Sequence, residues 1–379
     1  MAACLPAFAP GIGGAAAADG TPAPVAAVAT QPDTTAVERF WPLYQALRAD
    51  RPVDDALWDR LFSTPAWQAL GPTRQQQARE RYALAFRPSR EAGYRAAIAA
   101  GGYEARVLRH LRAMVGREER LRAQAIRLPL ASAMLRAREF LPHGIALGPP
   151  PVVALAVYEP DGYGTDIVVL DPAFAADLGA ALDAFLAHEL HHAYQGRIAR
   201  PLRRPPPESS DAPVLDALLQ LQREGIADLI DKRPSPTTSA LGMRPGAAER
   251  YAQRLRTAPE ALAAVDRHLQ RMGDAGEPER LALANAIRWK LLPDGGHAAG
   301  FHMASTILRV SGKARLLSTL CDPFAFVRAY DDAVGHGPGG FGAPALAFLA
   351  GLERRVAPAP PAPPAPCPAR TTQGSEPSG

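Results

Sequence analysis

From residue 34 onward, apolar residues recur at the three- and four-residue spacing of helices that bury one face. Segments 40–49, 53–62, 73–86, 89–100, 103–115 and 118–140 read as helices, separated by Pro52, Pro72, Pro88 and the Gly101-Gly102 pair, all of which interrupt a helical backbone. The period then changes. Residues 152–158 and 166–170 are β-branched and apolar runs joined by the turn-rich Glu159-Pro160-Asp161-Gly162-Tyr163-Gly164, so the two are predicted to pair as a hairpin. Helical spacing returns at 178–193 and 214–231, then over 247–271, 278–291, 300–308 and 323–330. The predicted fold class is mainly α with a small β-hairpin or sheet (α+β).

Composition sets the boundaries. Residues 1–33 form a Pro/Ala-rich leader or linker and 357–379 a Pro/Ala-rich, then polar tail, neither with the apolar pattern needed to build a core. Between them lie a helical region, 34–148, and a second region, 149–356, that holds the strands and the later helices. A chain of 379 residues has room for one large or two ordinary domains. Residues 1–18 are apolar and end in four alanines, 15–18, like the cleavage region of a secretory signal, although no positive residue precedes them and Pro6 and Pro10 interrupt the run. That points to export, periplasmic or secreted, with cytoplasmic residence as the alternative. No run reaches the roughly 18 apolar residues of a membrane span.

Charge adds little. The net charge of +4 is too small to argue for nucleic acid, and the basic residues are 39 Arg against three Lys (Lys232, Lys290, Lys313) in an Ala- and Pro-rich chain, a bias of base composition. The arginine-dense stretch 87–138 reads as solvated helix faces pairing with Glu104, Glu118, Glu119 and Glu139. Cys4, Cys321 and Cys367 are far apart and form neither a disulfide framework nor a thiolate metal site.

The chemistry is concentrated in His188-Glu189-Leu190-His191-His192, an HExxH pentad. On a helix, positions i and i+4 lie one turn apart on the same side, so His188 and His192 can aim ring nitrogens at one metal ion, with Glu189 beside it as a base. Projected on a helix, Leu178, Leu182, Phe185, Leu186 and Ala193 form one apolar arc that also contains Glu189. A carboxylate buried alone there would cost several kcal/mol or raise its pKa, whereas a neighbouring cation would hold it charged. His191 points away from the two ligand positions and is expected in solvent.

A catalytic zinc site takes three protein ligands. The helix predicted at 214–231 buries Leu215, Leu218, Leu219, Ile226, Leu229 and Ile230 on one stripe and places Glu224 and Asp228 four residues apart on another. Read alone, the two acids fit either a solvated acidic face or a metal site. Gly225 between them would let another backbone approach closely.

The HExxH pentad followed by Glu224-Gly225-Ile226-Ala227-Asp228 resembles the gluzincin clan of thermolysin-like metallopeptidases, with an HExxH helix and a downstream ExxxD helix. More narrowly, the chain resembles a group of bacterial zinc-dependent peptidases, through a Trp-rich lead-in (Trp58, Leu61, Phe62, Pro65, Trp67, Leu70) and a late segment with Gly300, Met303 and Ala304. The specific part of the likeness covers about residues 185–231. It implies a zincin-like core in which His188, His192 and Glu224 bind Zn²⁺ and Asp228 orients a ligand histidine, His188, through its other ring N–H. It also implies an oxyanion donor reaching in from a later helix. Where relatives place a Tyr three residues before the late glycine this chain has His297, with His302 and Tyr163 as further candidates.

The function so implied is hydrolysis of a peptide or protein substrate by a zinc-activated water, with Glu189 as general base and His297 sharing the oxyanion charge. A rival of another class is a non-hydrolytic scaffold in which zinc only staples a partner-binding helical protein. A third is hydrolysis of a non-peptide amide or ester.

Overall fold

The computed structural model describes residues 31–125, 127–145, 147–233, 246–335 and 339–358, and these are mostly helical with one small sheet. Most of the leader, most of the tail and residues 234–245, together with Cys4 and Cys367, lie outside the described residues. Among the described residues seven α-helices precede the sheet: α1 (Thr35–Arg48), α2 (Asp55–Phe62), α3 (Pro65–Phe86), α4 (Glu91–Ala100), α5 (Gly102–Arg112), α6 (Glu118–Ala125) and α7 (Leu130–Arg138). Their limits follow local chemistry. Asp54 caps α2 by accepting from the Ala56 N–H, Gly101 and Gly102 take positive φ between α4 and α5, and Gly71 kinks α3 at φ 82° just before Pro72. The single helix predicted over 118–140 is two, because Pro129 cannot donate within a continuous helix.

The sheet contains β1 (Val152–Leu155), β2 (Gly162–Gly164) and β3 (Ile167–Leu170) in the order β1-β3-β2. This corrects the predicted hairpin. β1 and β3 run parallel, Val152 opposite Ile167, and the segment expected as a turn supplies β2, which pairs antiparallel on the far edge of β3. The intervening chain is long enough to cross β3 and return, which a tight hairpin between β1 and β3 would not do. Alternation along the strands divides the interior. Val153 and Val168 face one hydrophobic core, while Ala154 and Val169, one residue on, face another.

The second of those cores is aromatic. Phe40, Trp41, Tyr44, Trp58, Trp67, Tyr82 and Phe86 of α1–α3 pack against one another and against the sheet, with Phe40 and Tyr82 ring centroids 5.1 Å apart at 70°. α8 (Pro172–Leu178) joins the aromatic core through Ala173, Phe174, Ala175 and Leu178. The other core lies beneath the later helices α9 (Leu182–Ile198), α10 (Asp211–Asp231), α12 (Ala258–Asp274), α13 (Glu277–Ala286), α14 (His297–Leu317), α15 (Pro323–Val334) and α16 (Ala343–Val356), with α11 (Ala247–Arg256) packed on α14 outside it. It also takes in Leu130, Ala133, Met134 and Ala137 of α7, so that helix packs with the later elements. Leu178 does not share a helix with the HExxH residues, since Gly179 at φ 51° ends α8. α14 begins three residues earlier than predicted and α16 was not predicted at all. No helix among the described residues is long and apolar enough to cross a membrane.

Two pairs of glycines set the layout around α9 and α10. A Cβ on Gly225 of α10 would lie 2.3 Å from the Gly300 carbonyl of α14, and one on Gly300 would lie 2.3 Å from the Leu221 oxygen, so the two helices cross backbone to backbone. A Cβ on Gly164 of β2 would lie 2.3 Å from the Glu189 main-chain oxygen, and one on Gly162 would lie 2.7 Å from the Phe185 ring. The sheet edge therefore rests directly on α9.

Candidate metal centre

α9 carries the pentad, and every residue from Phe185 to Gln195 is buried. One turn brings the Nε2 atoms of His188 and His192 to 3.0 Å, and Glu224 Oε2 from α10 closes the triangle at 3.1 Å from His192 and 3.3 Å from His188. Three ligand atoms of a tetrahedral zinc ion with bonds of about 2.0–2.1 Å stand roughly 3.3 Å apart. The triangle has that size, and two imidazoles with one carboxylate are a donor set zinc takes.

The surrounding charges prepare the donors. Burial pulls His192 down to about 4, more than Glu224 can raise it, so its ring is neutral near pH 7 with a lone pair to offer. His188 is drawn well above the usual histidine range: burial and the Lys232 charge oppose this, and Asp231 with Glu224 outweighs them. Glu224 is held well below the carboxylate range by the histidines despite its burial. An ion at the triangle would take the place of the proton those groups share.

The partner of His188 Nδ1 differs from expectation. Its nearest carboxylate is Asp231 Oδ1 at 3.1 Å, with Asp228 Oδ1 farther at 3.5 Å. Asp228 instead accepts from His297 Nδ1 at 3.0 and 3.1 Å, from Tyr251 Oη at 3.1 Å and from Lys232 Nζ at 2.5 Å. Asp231, Lys232 and Tyr251 were not singled out by the sequence. The only signal was that Asp231 and Lys232 continue the acidic face of α10.

His297 stands at the start of α14, one turn before the Gly225–Gly300 crossing, and its Nε2 reaches to 3.5 Å from Glu224 Oε2. Burial works against a charged ring there, but Asp228 and Glu224 outweigh it and raise the pKa. With Nδ1 donating to Asp228, the ring can donate from Nε2 only as an imidazolium, the form these acids favour. His302 is not at the site. Its ring packs beside Tyr330 of α15, centroids 6.0 Å apart, because five residues along a helix turn it away from His297.

Glu189 turns its carboxylate toward Gly164 of the sheet edge and lines a cavity of about 560 Å³ with His188, His192, Glu224, His297 and Tyr163. Burial holds its carboxyl up to about 7, against the pull of His188. Arg223 donates to the Gly164 carbonyl at 3.3 Å and ties α10 to the sheet edge. His191, expected in solvent, is wholly buried with Nε2 3.2 Å from the Phe140 carbonyl. Helices α7 and α10 and the sheet all pack on α9, so α9 has no solvent face at that position and burial lowers the ring's pKa to about 3.

The fold and the site together define a mainly helical protein in which two buried histidines and a partly buried glutamate form a donor set beside a cavity. Residues 58–337 match the family described as "Putative zinc dependent peptidase (DUF5700)", and the chain belongs to that family. No curated protein and no solved structure matches it.

Proposed function

We propose that the protein is a zinc metallopeptidase of the gluzincin type, with His188, His192 and Glu224 as the ligands and a peptide as the substrate. The observation that carries this reading is the convergence of those three donor atoms to 3.0–3.3 Å at the edge of a cavity that Glu189 also lines. When bound there, zinc would polarise a carbonyl and lower the pKa of water. Glu189 takes the proton of the water that adds to the scissile carbonyl carbon and returns it to the nitrogen as the C–N bond breaks. His297 Nε2, aimed inward by Asp228, donates to the oxygen that gains negative charge. Tyr163 on the sheet edge lines the same cavity, where an extended peptide can lie beside β2.

A zinc staple without activity needs a closed fourth position, and the cavity beside the donors argues for an open one. The test is metal content of the purified protein beside Glu224→Ala and His192→Ala, followed by a peptide screen with Glu189→Gln. Near-stoichiometric zinc, lost in the two ligand variants, and peptidase activity abolished in Glu189→Gln with zinc retained are the expected results. Zinc absent from the wild type, and not taken up on addition, overturns the proposal.

A further inference from the structure

Lys232, the residue after α10, is 7% exposed and lies between two carboxylates that are as deeply buried, Asp228 and Asp231. Its Nζ is 2.5 Å from Asp228 Oδ1 and 3.0 Å from each oxygen of Asp231. Each carboxylate accepts from a different histidine, Asp231 from His188 Nδ1 at 3.1 Å and Asp228 from His297 Nδ1 at 3.0 Å. His188, Asp228 and Asp231 also form a second cluster of cation-holding atoms, within 4.8 Å of one another, adjoining the first through His188.

We propose that Lys232 is a positioning residue that serves as a covalently attached cation for this second cluster. The ammonium offsets two buried negative charges that would otherwise repel each other, and so lets both carboxylates stand where they hold the two imidazoles by Nδ1. With Nδ1–H committed to a carboxylate on each ring, the Nε2 atoms of both His188 and His297 are turned toward Glu224. Since the ammonium occupies the acids, the protein takes one divalent ion, at the His188-His192-Glu224 triangle, and not a pair. Carboxylates that orient ligand histidines commonly change metal affinity by about 10–100-fold when disturbed, and Lys232 holds one of these, Asp231 on the ligand His188, together with Asp228 on His297.

This inference rests on the zinc reading above, and the experiment separates the two. Zinc affinity is measured by competition with a chelating dye on wild type, Lys232→Met and Lys232→Arg, together with the visible spectrum of the cobalt-substituted proteins. Wild type is expected to bind one equivalent. Lys232→Met should bind about 10–100-fold more weakly with an altered cobalt spectrum, and Lys232→Arg, which keeps the charge, should restore most of both. A wild type that binds no zinc fails the zinc reading itself. A folded Lys232→Met with wild-type affinity and spectrum, or a wild type that takes two equivalents tightly, overturns the role given to Lys232. Should Lys232→Met not fold, nitrogen-15 spectra of the wild-type histidines decide: Nδ1-protonated His188 and His297 are expected, and an Nε2-protonated, Nδ1-bare form of either ring overturns the proposal.

Discussion

Replacing Gly225 by Ala tests whether the crossing of α10 and α14 builds the site. The added Cβ would lie 2.3 Å from the Gly300 carbonyl carbon and oxygen, whereas ordinary contact begins at 3.4 Å, so the helices must part by about 1.1 Å. The obstacle is backbone on both sides, and no side chain can swing away to relieve it. Overpacking of this kind costs about 1–3 kcal/mol, while Ala in place of a helical Gly returns about 1 kcal/mol. A net loss of up to about 2 kcal/mol corresponds to a fall of up to roughly 3 °C in Tm, at about 2.1 cal/mol/K of unfolding entropy per residue. Catalysis should suffer more than stability. His297 lies one turn from the crossing, and a displacement of about 1 Å in a positioned group lowers kcat/KM by about 10²-fold. Gly196 on α9 is the control, because a Cβ there meets nothing within 4 Å, and Gly196→Ala should raise Tm by about one degree. Calorimetry and peptidase kinetics on both variants read the outcome. If Gly225→Ala melts higher than wild type, as propensity alone would dictate, or keeps full activity, the close approach does not hold the site.

Four further outcomes follow from the same geometry. Gly164→Ala would press its Cβ to 2.3 Å from the Glu189 main-chain oxygen and 3.0 Å from Oε2, so activity should fall by about 10²-fold while zinc content, which depends on α9 and α10, stays at wild-type level. Asp231→Asn should weaken zinc binding by about 10–100-fold, measured by chelator competition, and exceed the effect of Asp228→Asn on affinity because Asp231 is the nearer partner of His188. Glu189 must be ionised to act as a base, and burial holds it up to about 7 before a cation is added. The pH profile of kcat/KM should therefore fall toward acid, with its limb below about 7 once zinc draws the carboxyl down. A limb above 7 would refute the assignment. In the chelator-treated protein the same raised pKa favours the protonated folded state, so this contribution to stability is present below the ordinary glutamate range and lost as pH rises to about 7, a dependence that Glu189→Gln removes.

What could be read from the sequence divides along the range of the interactions. His188 and His192 are legible because a single helical turn relates them, and nothing outside α9 is needed to bring their Nε2 atoms to 3.0 Å. Glu224 is legible as one of two acids on a helix with an apolar stripe, though its meeting with His192 at 3.1 Å depends on how α9 and α10 pack. Asp231 and Lys232 look like an ordinary polar helix end. Their burial comes from α14 lying across α10 and from Tyr251 of α11 reaching Asp228, which no local pattern encodes. The placement of His191 in solvent fails for a related reason: a helical projection distinguishes faces, but α9 is enclosed on that side as well. β2 reads as a turn because Gly-Tyr-Gly has no apolar alternation, and its glycines are required by the surface of α9 beneath them. Pairing direction is likewise absent from a hydrophobic pattern, which is why β1 and β3 were expected antiparallel and are parallel.

The burial of so many charges around the triangle bears on what the site is for. Asp228, Asp231 and Lys232 are each less than a tenth exposed, and in a protein shaped only for stability apolar residues of similar volume would serve as well or better. Their contacts form a chain instead: Lys232 donates to both acids, His188 and His297 donate to the acids from Nδ1, and the Nε2 atoms of those two rings face the oxygen of Glu224. Each group in that chain fixes the orientation of the next, and the chain ends at the edge of the cavity. The glycine crossing belongs to the same design, since it is what brings α14 near enough for His297 to reach Asp228. Site order and backbone packing are thus coupled. A loss of zinc affinity in a variant remote from the ligands, such as Lys232→Met, and a loss of turnover in one remote from the substrate, such as Gly225→Ala, would have a single physical origin in the angle at which two imidazoles are held.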